Sequence, residues 1–489
     1  MSTAQPAGSN ANAAASPAAT SATNSEGLNQ GLKTRHLTMM GLGSTIGAGL
    51  FLGTGVGIQA AGPAVIIAYI IAGFVTVCVM QMLAEMVAAR PSSGSFATYA
   101  DQAFGPRGGF TLGWLYWFMQ MMIVGAEITG ASFIISGWFD VAPWIPAAIA
   151  VVLFTGINLM AVRGYGEFEF WFALIKVVVI IAFLIIGILL VFGLLPGSDA
   201  VGFSRLSEVG FAPNGIGGIA TAMLAVVFAF GGIEVVTIAA AESENPKESV
   251  HAAIRSAIWR IGVFYIGSVF LIILLLPYSE IGKADDASES PFTTVLSQAN
   301  IPGAVGIMEV VIVMALLSAC NAQLYGSSRL LYSMSRGGDA PKFFNQTNAS
   351  GVPTYAVLLS IFFAIVTVAL NYWSPPGLLT FLLNAVGGCL LAVWIGVIAS
   401  YLKLHPELVR TGEITEVRMW GYPWLAWVTL ATIFGFVTLM LFNQGGRLEL
   451  ASTAVIVAII VVASLIVHHN SGANAQTLAD RERVRAESD

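Results

Sequence analysis

Twelve apolar blocks, each of at least 18 residues, recur along this 489-residue chain, and no other feature restricts its fold as much. A block of that length covers a hydrocarbon core of about 30 Å as a single helix. The blocks run over residues 38–61, 63–88, 110–139, 144–162, 169–195, 216–241, 252–277, 303–334, 354–372, 377–401, 423–442 and 450–467. Composition agrees: 10% of residues are charged and 56% hydrophobic, whereas a soluble globular protein carries about 25% charged residues. The pattern predicts an all-α membrane protein with 12 transmembrane helices and excludes a water-soluble fold.

Residues 1–30 hold no Lys or Arg and lack the apolar core of a cleavable signal peptide, so they read as a disordered cytoplasmic tail. Residues 468–489 read as a second one. Between them lie a ten-helix core over 31–401, a cytoplasmic connection over 402–422 and two further helices over 423–467. With the N-terminus in the cytoplasm, all but four of the 21 Lys and Arg fall on the cytoplasmic side. Arg205, Lys283 and Arg447 are external and Lys176 is within a span, so the positive-inside rule places both termini in the cytoplasm of a multi-pass cell-membrane protein. Cys78, Cys320 and Cys389 all sit inside apolar spans as small hydrophobes, with no disulfide framework or metal site. Trp114, Trp117, Trp138, Trp144, Trp259, Trp420, Trp424 and Trp427 lie near span ends and read as interfacial anchors.

The first span carries the run GLGSTIGAGLFLGTGVG, with seven glycines in seventeen residues. Each weakens a helix interior by about 0.8–1 kcal/mol relative to Ala, and close helix packing alone does not explain a cluster at mid-depth. The run predicts a helix interrupted over Ser44, Thr45, Ile46, Gly47, Ala48 and Gly49, whose freed amides receive an anionic group such as a carboxylate. A matching interruption is expected in the sixth span, at Phe228, Ala229, Phe230 and Gly231, where unwound carbonyls accept hydrogen bonds from an ammonium group. Breaks in the first and sixth spans are what a five-plus-five inverted repeat requires, with the site at the repeat interface.

A charge at mid-membrane costs at least about 2.5–3.5 kcal/mol and asks for a partner or a function. Lys176, Glu127 and Glu234 stand out. Burial disfavours the charged ammonium, so Lys176 is either a proton carrier in a transport cycle or a fixed charge tethering the first span. Snorkelling of Lys176 toward the external side is difficult, the cytoplasmic interface being the alternative. Glu127 and Glu234 are each protonated, paired with Lys176, or ligands for a substrate amine, and the residues alone leave the three open. Glu85, Glu167 and Glu169 are expected at a cytoplasmic gate or interface. Ser318, Asn321 and Gln323 either line the cavity or join helices.

The segments TRHLTMMGLGSTIGAGLFLGTG, GWLYWF, GEFEFWFALIKV, FAFGGIEVVTIAAAESENP and SRLLYSMSRGGDAP resemble those of amino acid permeases of the amino acid, polyamine and organocation superfamily, amino acid transporter branch. The resemblance covers nearly the whole chain after Gly27. It implies a LeuT-like core of two inverted five-helix repeats with helices 1 and 6 discontinuous. It also implies a substrate carboxylate on the amides of Thr45 to Gly49, an ammonium at the carbonyls of Phe228 to Gly231, and Lys176 at the position where proton-coupled relatives carry a lysine. Within the family, LNAVGGC, FAPNG and SESPF are similar to bacterial aromatic amino acid permeases, while SFATYAD and RGGDAP are equally similar to γ-aminobutyrate permeases. An aromatic substrate needs a wide apolar pocket; Gly125, Gly130 and Phe230 either form it or pack.

The expectation is therefore a symporter that imports an aromatic amino acid with a proton, with γ-aminobutyrate or another neutral amino acid as the alternative substrate. Its partners are the amino acid, the proton and the lipid bilayer; no cofactor besides the coupling proton, no metal, no nucleic acid and no obligatory protein partner are expected. No HExxH, GxSxG or metal-ligand cluster supplies an enzyme's nucleophile or Lewis acid. A transporter-like amino acid sensor is the reading from another class, tested by whether binding is accompanied by flux.

Overall fold

The computed structural model describes residues 46–90, 95–160, 165–196, 200–202, 206, 210–232, 254–277, 281, 290–348, 351–414, 417–442 and 444–468. Over these residues the chain is helical, with an isolated bridge between Thr347 and Pro353. The expected tails lie outside them apart from His468.

Helix α1 (Ala48–Phe51) passes through Leu52 into α2 (Gly53–Ala61), and a 3-10 turn at Gly62–Ala64 leads into α3 (Val65–Ala89). Helices α4 (Ser95–Phe104), α5 (Pro106–Phe139), α6 (Trp144–Leu159), α7 (Tyr165–Val191) and α8 (Gly215–Ala229) follow. A π-helical stretch, Arg260–Gly267, runs into α9 (Ser268–Leu275). The rest comprises α10 (Pro291–Gln298), α11 (Ala304–Gly337), α12 (Thr354–Trp373), α13 (Leu378–Thr411), α14 (Trp424–Leu441) and α15 (Gln444–Val467).

Among the described residues nine helical stretches are long and apolar enough to cross a membrane, by length and composition. Helices α6 and α8 are shorter apolar helices. One of the nine, Ala48–Ala89, spans 42 residues, about 63 Å at 1.5 Å per residue and twice a bilayer core. It is not one rod. Thr54 and Tyr69, fifteen residues apart, join their hydroxyls at 2.9 Å, which a continuous helix separating them by about 22 Å forbids. The chain reverses at Gly62, whose φ of +64° suits a residue without Cβ, and at the Pro63 that follows.

Helix α5 lies at the centre, packed on α4, α6, α11, α12, α13 and α15, while α8 packs on α2, α3, α13 and α14. Close approach depends on missing side chains: a Cβ on Gly387 of α13 would stand 2.1 Å from the Leu224 carbonyl oxygen of α8. Polar side chains join helices where they meet. Asn158 donates to Asn321 at 2.9 Å, and Asn371 to Thr129 at 2.9 Å.

Four features differ from the sequence expectations. Helix α13 continues past Tyr401 to Thr411, carrying Pro406 within it. Helix α15 begins at Gln444 instead of Leu450. Trp117 is no interfacial anchor: it is buried, with its ring edge-on to Trp114 at 5.6 Å and Phe363 at 5.2 Å. Arg260, counted with the cytoplasmic-side cations, is 1% exposed within the apolar stretch Ile254–Leu275. Trp259, Trp424 and Trp427 are exposed, as anchors require.

Gly387→Ala forces two backbones apart and is expected to lower stability by about 1–3 kcal/mol. Gly156→Ala in α6, where a Cβ meets nothing within 4 Å, is expected to leave stability unchanged or raise it by up to about 1 kcal/mol. Thermal unfolding of the two purified variants in the same detergent checks both; equal midpoints would remove the packing role of Gly387.

Candidate functional site

Two helix ends of opposite polarity meet inside the bundle. Ile46 and Gly47 are not helical, and α1 starts at Ala48 with its first amides pointing out of the helix. Opposite them α8 stops at Ala229, Gly231 N–H turns back to the Phe228 carbonyl at 2.8 Å, and Gly232 takes a left-handed φ of +88°. A Cβ on Gly49 would lie 2.6 Å from the Ala229 Cα, so the two ends touch because Gly49 has no side chain. The amide end carries partial positive charge and the carbonyl end partial negative charge.

The amide end is occupied. Ala48 N–H donates to both oxygens of the Glu127 carboxylate, at 3.1 Å each. Glu127 comes from α5 and is buried. Its Oε1 would lie 2.2 Å from a Cβ on Gly47, so glycine at 47 gives the carboxylate its seat.

Lys176 of α7 is fully buried, donates from Nζ to Ser318 Oγ of α11 at 3.2 Å, and stands within electrostatic reach of Glu127. It does not snorkel to either interface. The buried Cys320, also on α11, is close enough to feel the Glu127 charge. An ammonium, a carboxylate, a hydroxyl and a helix start thus converge from α7, α5, α11 and α1. This arrangement suits a zwitterion, with one end for an anion and one for a cation.

Of the residues singled out from sequence, Ile46, Gly47, Ala48, Gly49, Phe228, Ala229, Phe230, Gly231, Glu127 and Lys176 all fall at or beside this junction. Ser44, Thr45 and Glu234 lie outside the described residues, and Glu167 and Glu169 belong to the first turns of α7. Ser318 faces the site through Lys176, whereas Asn321 joins helices. Gly125, Gly130 and Phe230 pack and do not share a cleft: Leu382 and Thr367 cover Gly125, and Leu52 and Leu316 cover Gly130. The Phe230 ring stacks on Tyr265 at 5.1 Å and meets Tyr69 edge-on at 5.9 Å.

The intramembrane acid that sequence reasoning missed is Glu449. It accepts a hydrogen bond from Asn384 of α13. Placing the helix start at Leu450 excluded it; the start at Gln444 puts it in the second turn.

Residues 36–475 match the amino acid permease family. The chain is 59% identical over 460 residues to an aromatic amino acid transport protein of Corynebacterium glutamicum, covering 94% of this chain and 99% of that one. It is 42% identical over 443 residues to a gamma-aminobutyric acid permease of Bacillus subtilis, covering 90% and 94% respectively. It is 34% identical over 421 residues to an aromatic amino acid transport protein of Escherichia coli K12, covering 86% and 91%. These relatives carry the names of transport proteins and permeases, not of enzymes.

Glu127→Leu leaves the Ala48 amide buried without its acceptor, and is expected to destabilise by about 1–3 kcal/mol. Glu127→Gln keeps an acceptor and loses less. Unfolding midpoints in detergent separate the two, and equal losses would mean the hydrogen bond contributes nothing.

Proposed function

The chain belongs to the amino acid permease family, and on that premise we propose that it is a proton-coupled symporter importing aromatic amino acids (phenylalanine, tyrosine and tryptophan) across the cytoplasmic membrane. The observation that carries this reading is the junction itself: an amide end and a carbonyl end side by side, with a buried carboxylate on the first and a buried ammonium within reach. The aromatic substrate is supported by the 59% identical relative, named for aromatic amino acid transport and aligned over 99% of its length.

The proposed architecture has twelve crossings, a LeuT-like five-plus-five repeat over residues 31–401 with helices 1 and 6 broken, two further helices over 423–467, and both termini in the cytoplasm. Support for twelve comes from the reversal at Gly62, which divides one of the nine long stretches, and from α6 and α8 as the two short ones.

In the proposed cycle the substrate carboxylate takes the amides at Gly47 to Gly49, and its ammonium meets the carbonyls of Phe228 to Gly231. Glu127 holds the Ala48 amide until then, and has to yield it, because two carboxylates sharing one N–H repel. Lys176 gains and loses the coupled proton, and its return to the starting state resets the site. Substrate and proton enter from outside and leave to the cytoplasm when one helix bundle rocks against the other.

A γ-aminobutyrate substrate is the second reading. It is favoured by the 42% identical relatives named for that compound, and changes the cargo without changing the cycle.

Uptake of labelled phenylalanine, tyrosine, tryptophan and γ-aminobutyrate into proteoliposomes, with and without an inward proton gradient, tests the proposal. Accumulation of the aromatics under the gradient is expected; preference for γ-aminobutyrate moves the substrate, and binding without flux makes the protein a sensor. Lys176→Ala is expected to abolish gradient-driven accumulation. If that variant accumulates substrate as the wild type does, the proton role of Lys176 is wrong.

A further inference from the structure

A second buried polar cluster lies where α3 and α13 finish, the end that the basic residues assign to the cytoplasm. Glu85 of α3 is 1% exposed, and makes three hydrogen bonds outside its helix. The Met419 backbone N–H donates at 2.6 Å and the Tyr401 hydroxyl at 3.0 Å, and His405 Nδ1 shares a hydrogen bond with Oε1 at 2.6 Å. Where the carboxylate is ionised it only accepts, so that Nδ1 then holds the proton of this contact and protonation of Nε2 decides whether the ring is charged.

One turn earlier on α3, Gln81 donates to the Arg418 carbonyl at 2.8 Å. The chain at 417–419 is therefore strapped along α3 at two points, with Val417 and Met419 buried and Arg418 exposed. Tyr422 then lies over the His405 ring at 3.6 Å between centroids.

Other charged and titratable groups surround the strap. Arg90, at the end of α3, donates to Glu413 at 2.6 Å and to Glu407 at 2.9 Å. The Arg90 hydrogen bond, helped by Thr411, holds the Glu413 carboxyl down at about 2. Burial and then the Glu85 charge push the Tyr422 phenol above its ordinary range. Tyr99 of α4 reaches the Arg90 carbonyl, and Tyr401 is the donor already described. Histidine is the residue type here whose charge changes between about pH 5 and 8.

We propose that Glu85, His405 and the 417–422 segment form a proton-sensitive latch on the cytoplasmic side of the transporter. A charged His405 holds the segment across the ends of α3 and α13. Loss of its proton removes the ionic part of the contact, so protection is full at low pH and falls as pH rises. In a protein that imports protons this is feedback: an acidified cytoplasm keeps the inner side shut. That consequence rests on the transport reading; the contact does not.

The test is tryptic cleavage of the Arg418–Met419 bond in the purified full-length protein, timed from pH 6 to 8 and normalised to a free peptide carrying the same bond. The wild-type ratio is expected to rise several-fold across the range. In His405→Gln, which keeps a side-chain N–H but has no proton to lose, it is expected to stay flat. Glu85→Gln at pH 6 is expected to give the ratio that the wild type gives at pH 8. A flat wild-type ratio, or a His405→Gln ratio with the wild-type slope, overturns the latch even where amino acid flux is normal. A pH-sensitive ratio absent from His405→Gln supports it even where uptake assays find no flux and the transport reading falls.

Discussion

A backbone N–H that starts a helix inside a packed bundle has no preceding turn to receive it, and the interior of this protein is arranged around that constraint. An unsatisfied amide in hydrocarbon costs several kcal/mol. Ala48 meets it with the Glu127 carboxylate, which ties α5 to the first helix. A buried carboxylate in turn calls for positive charge, and Lys176 stands within reach from α7, its ammonium steadied by Ser318 of α11. One orphan amide thus sets the placement of three other helices. Across from it, the end of α8 turns its own Gly231 amide back to the Phe228 carbonyl.

The spans were legible because hydropathy over some twenty residues is a strong signal in a chain this apolar. Their ends were not. Helix α13 carries Lys403, His405, Glu407 and Arg410 beyond Tyr401, and a polar stretch past the bilayer reads as a loop unless its period is followed. The same boundary uncertainty hid Glu449. Trp117 was misread for a different reason: tryptophan near a predicted end suggests an interface, but packing against Trp114 and Phe363 is decided by which way the α5 face turns.

The candidate site divides along the same line. The glycine run pointed to the helix start beside Gly47 because backbone preference is local, and Gly231 and Gly232 marked the end of α8 for the same reason. Pairings across helices were out of reach. Three roles stood open for Glu127, and the rotation of α5 about its axis chose a seat over the Ala48 amide. Gly125 and Gly130 are on that same helix, yet Leu52 between α1 and α2 and neighbours from α11, α12 and α13 fill the space that an open pocket would need.

Charge balance governs how such a site can change its occupant. A zwitterionic amino acid brings equal and opposite charges, so its entry leaves the net charge of the junction unchanged. It nevertheless sets a second carboxylate against the first. Two like charges 4 Å apart repel by about 4 kcal/mol at an effective dielectric constant of 20. Either Glu127 withdraws from Ala48 or it takes a proton, and on the second route that proton accompanies the substrate. Lys176 offers the other residence for that proton. On the proposed cycle, coupling reduces to which of the two side chains is neutral when the substrate carboxylate arrives, and the two stand close enough for the state of one to bias the state of the other.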